Sequence, residues 1–460
     1  MRPQKGEEED FEQMLGLLKT ETAGYLEGEG VEKTYRISQD EISKAVSLQS
    51  SKKHFELKLT DSGSYNIDYT RDGRHLLIAG RRGHVAAIEW ECGRLRCELQ
   101  LDDTVRAAKW LQNETFFAVA QTNYVYVYDT DGSEVHRLGK HAEVDFLEYL
   151  PYHFLLASIG NKGMLRYQDM TTGQIVAEHH SKYGRCRSMR QNPGNGIMHL
   201  GHSGGYVTLW APSMGGPLVT MQCHSSPVEA IAFDPQGNYM ATSGLDGRIR
   251  VWDMRTYKKL HEYFPIRPAT TLDISQRGVL AAGNGPHVTM WKDCLGRRVK
   301  EPYMHHLQPG CTISSVRFCP YDDVLGTGHS QGVSSLIVPG AGEPNYDSYE
   351  ANPFSTRNQR REATVKQLLD KLQPETIMLD PTAIGSIAKT DDERRRLRDE
   401  LEGHRPERKR KADKAAKERA KRRENIIERE KRDGEIVTNF EHRAIPEKKS
   451  ALDRFKLKSL

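Results

Sequence analysis

Residues 244–253 read GLDGRIRVWD, and this short stretch decides the fold. An Asp-Gly turn is followed by polar and apolar side chains in alternation, ending in Trp-Asp. This pattern predicts a hairpin turn that leads into a half-buried strand. The preceding residues 226–244, SPVEAIAFDPQGNYMATSG, predict two further strands at 228–233 and 239–243, joined by a turn. The region therefore contains a compact unit of three consecutive strands.

The same unit recurs along the chain. Intervals of 39 to 46 residues separate the positions equivalent to Trp252, which are Ile88, Tyr128, Gln168, Trp210, Trp252, Trp291 and Ile337. A period near 40 residues with several short strands per unit is typical of β-propeller blades. Seven copies predict an all-β fold: a seven-bladed WD40-type β-propeller with largely extended or helical terminal tails.

The best-preserved copy resembles a WD repeat. The resemblance implies that His224, Asp246 and Trp252 form that family's structural hydrogen-bond set together with Thr242 or Ser243, of which we assign Ser243. In WD propellers the outer strand of the last blade commonly comes from the opposite terminus. Residues 54–60 alternate apolar and polar side chains, and we expect them to be this closing strand, which removes an exposed sheet edge.

Composition indicates the compartment and argues against a membrane protein. The seven cysteines are irregularly spaced and include no CxxC pair. The first apolar residues, within 11–18, are flanked by acidic residues, so we expect no signal peptide. No apolar run approaches the 18 residues or so of a membrane-spanning helix. The sequence therefore predicts an intracellular protein with reduced thiols and no membrane partner.

No set of residues predicts catalysis. The pairs His179-His180 and His305-His306 have no Cys or acidic residue at ligand spacing, so we interpret them as polar loop histidines rather than metal ligands. Gly-rich stretches such as 214–217 lack the following Lys-Ser/Thr of a phosphate-binding loop. We therefore expect no enzyme activity, no metal, no cofactor and no small-molecule substrate.

After the repeats, the strand pattern gives way to a segment with helical periodicity. Thr356 and Gln359 have the spacing of a capping box, and Pro374 is expected to stop the helix that they begin. Four apolar residues fall on one face of this helix, namely Val365, Leu368, Leu369 and Leu372. So narrow a stripe requires a docking surface, and the sequence allows two: the ring itself or another protein.

The chain resembles one specific family, the nucleolar WD-repeat subunits of the small-subunit processome. The resemblance rests on NPFSTRNQRREATVKQLLDKLQPETIMLDP (352–381), IGSI (384–387), GYLEGEGVEKTYRISQDEI (24–42), GRHLLIAGRRGHVAAIEW (73–90) and SALDRFK (450–456). It implies a non-catalytic scaffold that assembles precursor small ribosomal subunits for pre-rRNA processing and 18S rRNA maturation. The implied partners are other processome proteins, pre-rRNA and the U-three snoRNA ribonucleoprotein. The implied location is the nucleolus within the nucleus.

Positive charge is concentrated near the C-terminus. Residues 404–432 contain 14 Lys or Arg and six Asp or Glu, whereas the whole chain carries +4. No aromatic residue is interleaved, so phosphate contact is favoured over base stacking. The candidate RNA-binding residues are Arg405, Arg408, Lys409, Arg410, Lys411, Lys421, Arg422 and Arg423. A nuclear-import signal at 407–411 and a solvated spacer helix remain alternatives.

These observations divide the chain into four expected regions. Residues 1–53 form an N-terminal extension, 54–349 the propeller, 350–388 a family-specific C-terminal segment with the amphipathic helix, and 389–460 a basic tail that is helical or disordered. The competing function is a nuclear WD-repeat adaptor, in which the ring presents a peptide-binding surface to a ubiquitin-ligase or chromatin complex. An enzyme that uses the central channel is a third possibility, against which the lack of a catalytic set argues.

Overall fold

The structure, a computed structural model, describes residues 23–28, 30, 32–347, 350–381, 418 and 421. Within this part of the chain, the strands form seven four-stranded antiparallel sheets. The chain divides into two units, Met1–Ile384 and Gly385–Leu460, and the sheets belong to the first. In the second unit, the described residues Glu418 and Lys421 are exposed and have helical backbone.

Each sheet is one blade, and the first four blades follow one another directly. Blade 1 contains β2 (Tyr65–Tyr69), β3 (His75–Gly80), β4 (His84–Glu89) and β5 (Arg94–Gln100). Blade 2 contains β6 (Ala107–Trp110), β7 (Phe116–Ala120), β8 (Val125–Asp129) and β9 (Glu134–Leu138). Blade 3 contains β10 (Val144–Leu150), β11 (Leu155–Gly160), β12 (Met164–Asp169) and β13 (Ile175–His180). Blade 4 contains β14 (Cys186–Gln191), β15 (Met198–His202), β16 (Tyr206–Trp210) and β17 (Val219–Gln222).

The last three blades include the one built from both ends of the repeat region. Blade 5 contains β18 (Val228–Phe233), β19 (Tyr239–Gly244), β20 (Ile249–Asp253) and β21 (Lys258–Tyr263). Blade 6 contains β22 (Thr271–Ile274), β23 (Leu280–Asn284), β24 (His287–Trp291) and β25 (Met304–Leu307). Blade 7 contains β26 (Ile313–Phe318), β27 (Val324–His329), β28 (Gly332–Ile337) and, as its outer strand, β1 (Glu56–Lys58).

The prediction of a seven-bladed propeller is confirmed. All seven repeat markers, from Ile88 to Ile337, lie in the third strands of their blades. Contacts between the first strands of neighbouring blades, such as β14 with β18, place these strands around the ring centre. Second strands such as β3 and β11 are buried throughout, whereas outer strands such as β5 and β9 are largely exposed. The core therefore lies between blades.

The predicted closing strand is confirmed as well. Leu57 of β1 pairs with Val333 of β28 in antiparallel register. On either side, the Ser335 amide donates to the Phe55 carbonyl at 2.9 Å and the Leu59 amide donates to the Gln331 carbonyl at 2.7 Å. Because β1 supplies the fourth strand of the last blade, the chain closes its own ring and leaves no unpaired edge on β28.

The N-terminal extension packs against the closing blade. It contains a 3-10 turn (Thr34–Arg36), helix α1 (Gln39–Ala45), begun by a capping box between Ser38 and Glu41, and the short helix α2 (Leu48–Ser51). Ile42 is buried in an apolar cluster with Leu336 and Ile337. The Gln39 side chain donates to the Ile337 carbonyl at 3.1 Å and accepts from its amide at 3.0 Å. Helix α1 is thus fixed to the end of β28.

Antiparallel order gives the ring two distinct faces. One carries the loops from first to second strands, such as 70–74, 111–115 and 151–154, and we call it the capped face because both terminal segments contact it. The other carries the loops from second to third strands and from blade to blade, such as 81–83, 245–248 and 264–270, and we call it the open face. Helix α3 (Arg357–Leu369) and a 3-10 turn (Pro374–Thr376) follow the last blade.

No helix in the described part of the chain is long and apolar enough to cross a membrane.

Candidate functional site

The hydrogen-bond set of blade 5 is complete, but its hydroxyl differs from our assignment. His224 donates from Nδ1 to the Asp246 carboxylate at 3.1 Å, and its Nε2 lies 2.9 Å from Thr242 Oγ1. The Trp252 indole donates to the same hydroxyl at 3.0 Å. Burial lowers the pKa of His224, which keeps its Nε2 free to accept the threonine proton. This chain of bonds ties the open-face turn to the third strand.

The assignment of Ser243 to this set is wrong. Successive residues on a strand point to opposite faces of the sheet, so only one of two adjacent hydroxyls can meet His224. Thr242 takes that place, while Ser243 donates to the Ala269 carbonyl at 2.9 Å and so ties β19 to the loop that enters blade 6. Blade 4 has a partial version of the set, in which His202 and Trp210 share the Thr208 hydroxyl.

A network of buried and half-buried charged side chains lies in the centre of the ring. It consists of one residue from the first strand of six blades, and we call it the charged belt: Asp68, Lys109, Glu148, Arg190, Asp273 and Arg317. Lys109 bridges Asp68 at 2.9 Å and Glu148 at 3.3 Å. Arg317 of blade 7 lies 3.7 Å from Glu148 of blade 3, so the network crosses the channel.

The belt is formally neutral and internally paired. Burial alone would lower the pKa of Lys109, but the carboxylates of Asp68 and Glu148 outweigh burial and raise it. Burial raises the pKa of Asp273 to about 6, against the opposing pull of Arg190. Blade 5 has no ionisable residue in the belt, and its Ile231 carbonyl accepts from Arg190 Nε at 3.3 Å. The channel side chains therefore bind one another, which fixes neighbouring blades in register.

The C-terminal segment lies on the capped face, held first by polar contacts along helix α3. The helix begins at Thr356 with the predicted capping box to Gln359. Gln367 accepts from Gln112 at 3.0 Å, Thr364 accepts from Asn113 at 2.8 Å, and Arg360 pairs with Glu114. All three ring residues belong to the loop 111–115 of blade 2. One polar face of α3 is therefore clamped to one loop.

The residues after α3 are held by blade 3 and by a single apolar anchor. Lys371 pairs with Asp169 at 2.6 Å, and the Leu372 amide donates to the Tyr152 carbonyl at 3.0 Å. Burial alone would raise the pKa of Asp169, but hydrogen bonds from Lys371 and Thr171 lower it. Ile377 is completely buried and belongs to the core cluster between blades 3, 4 and 5. We call residues 357–377 the clamped segment.

The apolar stripe of α3 does not face the ring. Val365, Leu368, Leu369 and Leu372 are all exposed, Leu369 to 81%. Of the two docking surfaces that the sequence allowed, the ring is therefore wrong for this stripe, because the opposite, polar face of the helix occupies that contact. The helix also ends at Leu369 rather than at Pro374, which instead begins a 3-10 turn.

Most of the candidate RNA-binding residues lie outside the described residues. These are Arg405, Arg408, Lys409, Arg410, Lys411, Arg422 and Arg423. Lys421 is described and exposed, which leaves its ammonium accessible. Their role in RNA contact stays a prediction.

The histidine pairs lie on strands and not in loops. His179 and His180 belong to β13, and His305 and His306 to β25, so the prediction of loop histidines was wrong about their location. Outer strands of blades have high polar content, which made them look like loops in the sequence. Among the described residues, no group of three or more His, Cys, Asp or Glu side chains could hold a metal ion. All seven cysteines are free thiols, and six of them are buried.

Comparison with known proteins agrees with this architecture. Residues 302–380 match the BING4CT (NUC141) domain, and residues 215–253 match the WD domain, G-beta repeat. U3 small nucleolar RNA-associated protein 7 of Saccharomyces cerevisiae is 47% identical in an alignment of 390 residues that covers 81% of this chain and 70% of that protein.

This chain belongs to the family of that yeast protein.

Animal members of the family are similar too. WD repeat-containing protein 46 of Homo sapiens is 44% identical over 81% of this chain and 61% of that protein. The Mus musculus protein of the same name is 40% identical over 95% of this chain and 74% of its own length. The BING4CT match contains the whole of α3 and the anchor Ile377. The clamped segment is thus part of the BING4CT domain.

Sequence reasoning missed the two most organised features of this site. The charged belt had a detectable signal, since an ionisable residue recurs at the same position of the first strand in six blades. The partners of the clamped segment had none. Gln112, Asn113 and Glu114 lie in an ordinary polar hairpin loop, and only the fold brings them under α3.

Proposed function

We propose that this chain is a non-catalytic scaffold of ribosome biogenesis that acts in the nucleolus, within the small-subunit processome. There it supports pre-rRNA processing and maturation of 18S rRNA. The observation that carries the proposal is the 47% identity, across 81% of the chain, to a protein named as U3 small nucleolar RNA-associated. The partners proposed are other processome proteins, pre-rRNA and the U3 ribonucleoprotein.

The charged belt supports a scaffold rather than a channel enzyme. A catalytic acid or base has to be free to exchange protons with a substrate, and a perturbed carboxylate in a channel is a common candidate. In the belt, each carboxylate faces a cation from another blade, as Asp68 faces Lys109 and Asp273 faces Arg190. Such pairing suits a rigid hub better than a reacting group.

The clamped segment supplies the protein-docking element of the proposal. Its polar contacts hold α3 on blade 2 while the stripe of Val365, Leu368, Leu369 and Leu372 faces solvent. Burying such side chains is worth about 1.5–3 kcal/mol each when complete. A partner that covers the stripe gains this energy without first ordering the helix, because the ring has already ordered it. We assign the stripe to an apolar groove of another processome protein.

The basic run, by which we mean residues 404–432, supplies the RNA contact. Each phosphate that it neutralises releases counterions, which gives strong and sequence-independent binding at low salt. The ring itself carries near-balanced charge, so the run is the chain's main cationic feature. In this proposal, the ring and the clamped segment bind proteins, and the basic run contacts precursor RNA directly. All of these contacts are made within one particle.

Affinity purification of the tagged chain from nucleoli tests the proposal. We expect co-purification of small-subunit rRNA precursors, the U3 RNA and many assembly factors. Recovery of cullin or histone complexes without these RNAs would instead favour the adaptor function and contradict the scaffold. The control is an unrelated tagged WD propeller without a BING4CT domain. It should recover neither the ribosomal precursors nor the cullin or histone complexes.

A further inference from the structure

The open face carries an exposed apolar group at blades 5 and 6. Leu245 lies in the turn after β19, and Phe264 and Ile266 lie in the connection from β21 to β22. Ile266 is 83% exposed and Phe264 is 62% exposed. The register that pairs Ile249 with Tyr263 continues to bring Arg248 opposite Phe264. We call Leu245, Arg248, Phe264, Ile266 and Arg267 the rim patch.

The loops that carry the rim patch are held in place. The Leu245 amide donates to the Pro227 carbonyl at 3.1 Å, and the Ser243 hydroxyl holds the Ala269 carbonyl at 2.9 Å. Arg248 pairs with Glu262 at 3.1 Å, and its guanidinium lies 5.5 Å from the centre of the Phe264 ring. The exposed apolar side chains thus stand on an ordered base, which lowers the entropy cost of binding.

The charge of the rim patch is positive. Arg248 and Arg267 flank the apolar side chains, and Arg267 forms no ion pair with any residue that the structure describes. Two further exposed arginines on the same face are paired and add no net charge, namely Arg185 with Asp145 and Arg187 with Glu229. The free positive charge of the patch therefore comes mainly from Arg267. Aromatic and aliphatic anchors beside arginines are the composition of protein-binding hot spots. A single-sign charge on the patch favours partners of the opposite sign.

We propose that the rim patch docks an extended segment of a partner protein, in which an aromatic or aliphatic anchor is flanked by Asp or Glu. The apolar side chain of the partner packs on Leu245, Phe264 and Ile266, and its carboxylates meet Arg248 and Arg267. RNA fits less well. The aliphatic side chains of Leu245 and Ile266 cannot hydrogen-bond or pair with a phosphate. Arg248 also lies over the Phe264 ring, on which a base would otherwise stack. The patch lies on the face opposite the clamped segment, so it adds a second, independent docking surface.

Selection from a random 12-residue peptide library displayed on phage, with the full chain as target, tests this inference. We expect enrichment of peptides that combine a Phe, Leu, Ile or Trp with at least two acidic residues. The selected peptides should bind at least tenfold more weakly to the Phe264→Ser, Ile266→Ser double variant and several-fold more weakly to Arg267→Glu. The variant Val135→Ser, which changes an exposed apolar residue of β9, should leave their affinity unchanged.

Five results would overturn the inference. Selected peptides that are basic, peptides indifferent to the rim variants, or no enrichment at all would exclude the proposed partner chemistry. Binding of a 20-nucleotide single-stranded RNA that is lost in the double variant would assign the patch to RNA. A concentration-dependent dimer that Ile266→Ser abolishes would assign it to a second copy of this chain. Should the double variant fold poorly, Ile266→Gln alone serves, because a side chain so exposed contributes little to the fold.

Discussion

His153 of blade 3 and Thr376 of the clamped segment meet across the capped face, with Nε2 2.9 Å from the threonine Oγ1. Beside them, a Cβ at Gly196 would lie 3.4 Å from both His153 and Ile377, so the three residues are closely packed. The clamped segment is therefore inserted into the core of the ring at one buried residue, Ile377. This anchor acts together with the polar contacts of α3 to hold the exposed stripe in place.

Replacing the anchor should free the segment. Ile377→Asp places a carboxylate in the core and removes burial worth about 1.5–3 kcal/mol. We expect the Leu372 amide, which donates to the Tyr152 carbonyl, to exchange its hydrogen much faster while the blade amides stay protected. Hydrogen exchange with mass spectrometry measures this. Leu369→Asp is the control and should leave exchange unchanged, and equal protection in both variants would contradict the anchor.

The stability of the ring should fall on acidification. Burial lowers the pKa of His141, His153 and His202 to about 4 and that of His199 to about 3, against about 6.5 when unfolded. Below pH ~6.5 these histidines are protonated in the unfolded chain but stay neutral in the folded chain. The stability that these histidines contribute is thus complete above that pH and is lost as pH falls toward 4, by up to about 1.4 kcal/mol per pH unit for each histidine.

Three carboxyl groups among the described residues oppose this trend, because burial raises the pKa of Asp68, Asp234 and Asp273. Burial raises the pKa of Asp273 to about 6, so its contribution is present at low pH and is lost as pH rises through 6. Burial lowers the pKa of ten described histidines and raises that of only these three carboxyls, so urea unfolding midpoints should drop from pH 7 to pH 5. A midpoint that is flat or rises over that range would show that the histidines are not kept neutral by burial.

The charged belt predicts an unequal response to two lysine substitutions. Lys109→Met leaves the buried Asp68 carboxylate without its cation, while Glu148 keeps Arg190 and Arg317, and should cost about 3–5 kcal/mol of unfolding free energy. Lys162→Met removes the exposed pair with Glu143 and should cost about 0–1 kcal/mol. Chemical denaturation compares the two. Equal losses would mean that the belt is solvated and does not hold the blades together.

The basic run predicts a salt-dependent RNA contact. The full chain should bind single-stranded RNA with little sequence preference, and log affinity should fall linearly with log salt concentration. Changing Arg405, Arg408, Lys409, Arg410, Lys411, Lys421, Arg422 and Arg423 to Gln should flatten that slope. Gel-shift titrations from 50 to 200 mM salt measure it, and an unchanged slope would assign the run to nuclear import or to a spacer.

The sequence predicted the repeated strands of the propeller correctly, but it did not predict which residues meet across the fold. Strand periodicity predicted seven blades, the third-strand markers and the closing strand at residues 54–60, because alternation and turn chemistry are local properties. The choice between Thr242 and Ser243 failed because it depends on which face of β19 meets His224. The orientation of α3 could not be predicted for a related reason: the sequence left both the ring and another protein open as docking surfaces for the stripe, and the ring offers that helix a polar loop. Such pairings depend on residues far apart in the chain.

Particle association of a stripe variant tests the central claim most directly. Leu368→Asp with Leu369→Asp places two charges on the exposed face of α3, while the ring contacts of Gln367 and Ile377 remain. The control, Leu48→Asp with Val135→Asp, places the same charges on exposed apolar positions elsewhere. Quantitative mass spectrometry of purified small-subunit precursors should show the stripe variant depleted at least tenfold, although it folds and reaches the nucleolus, and the control at normal yield. Normal yield of the stripe variant would contradict the claim that α3 docks this scaffold onto a processome protein.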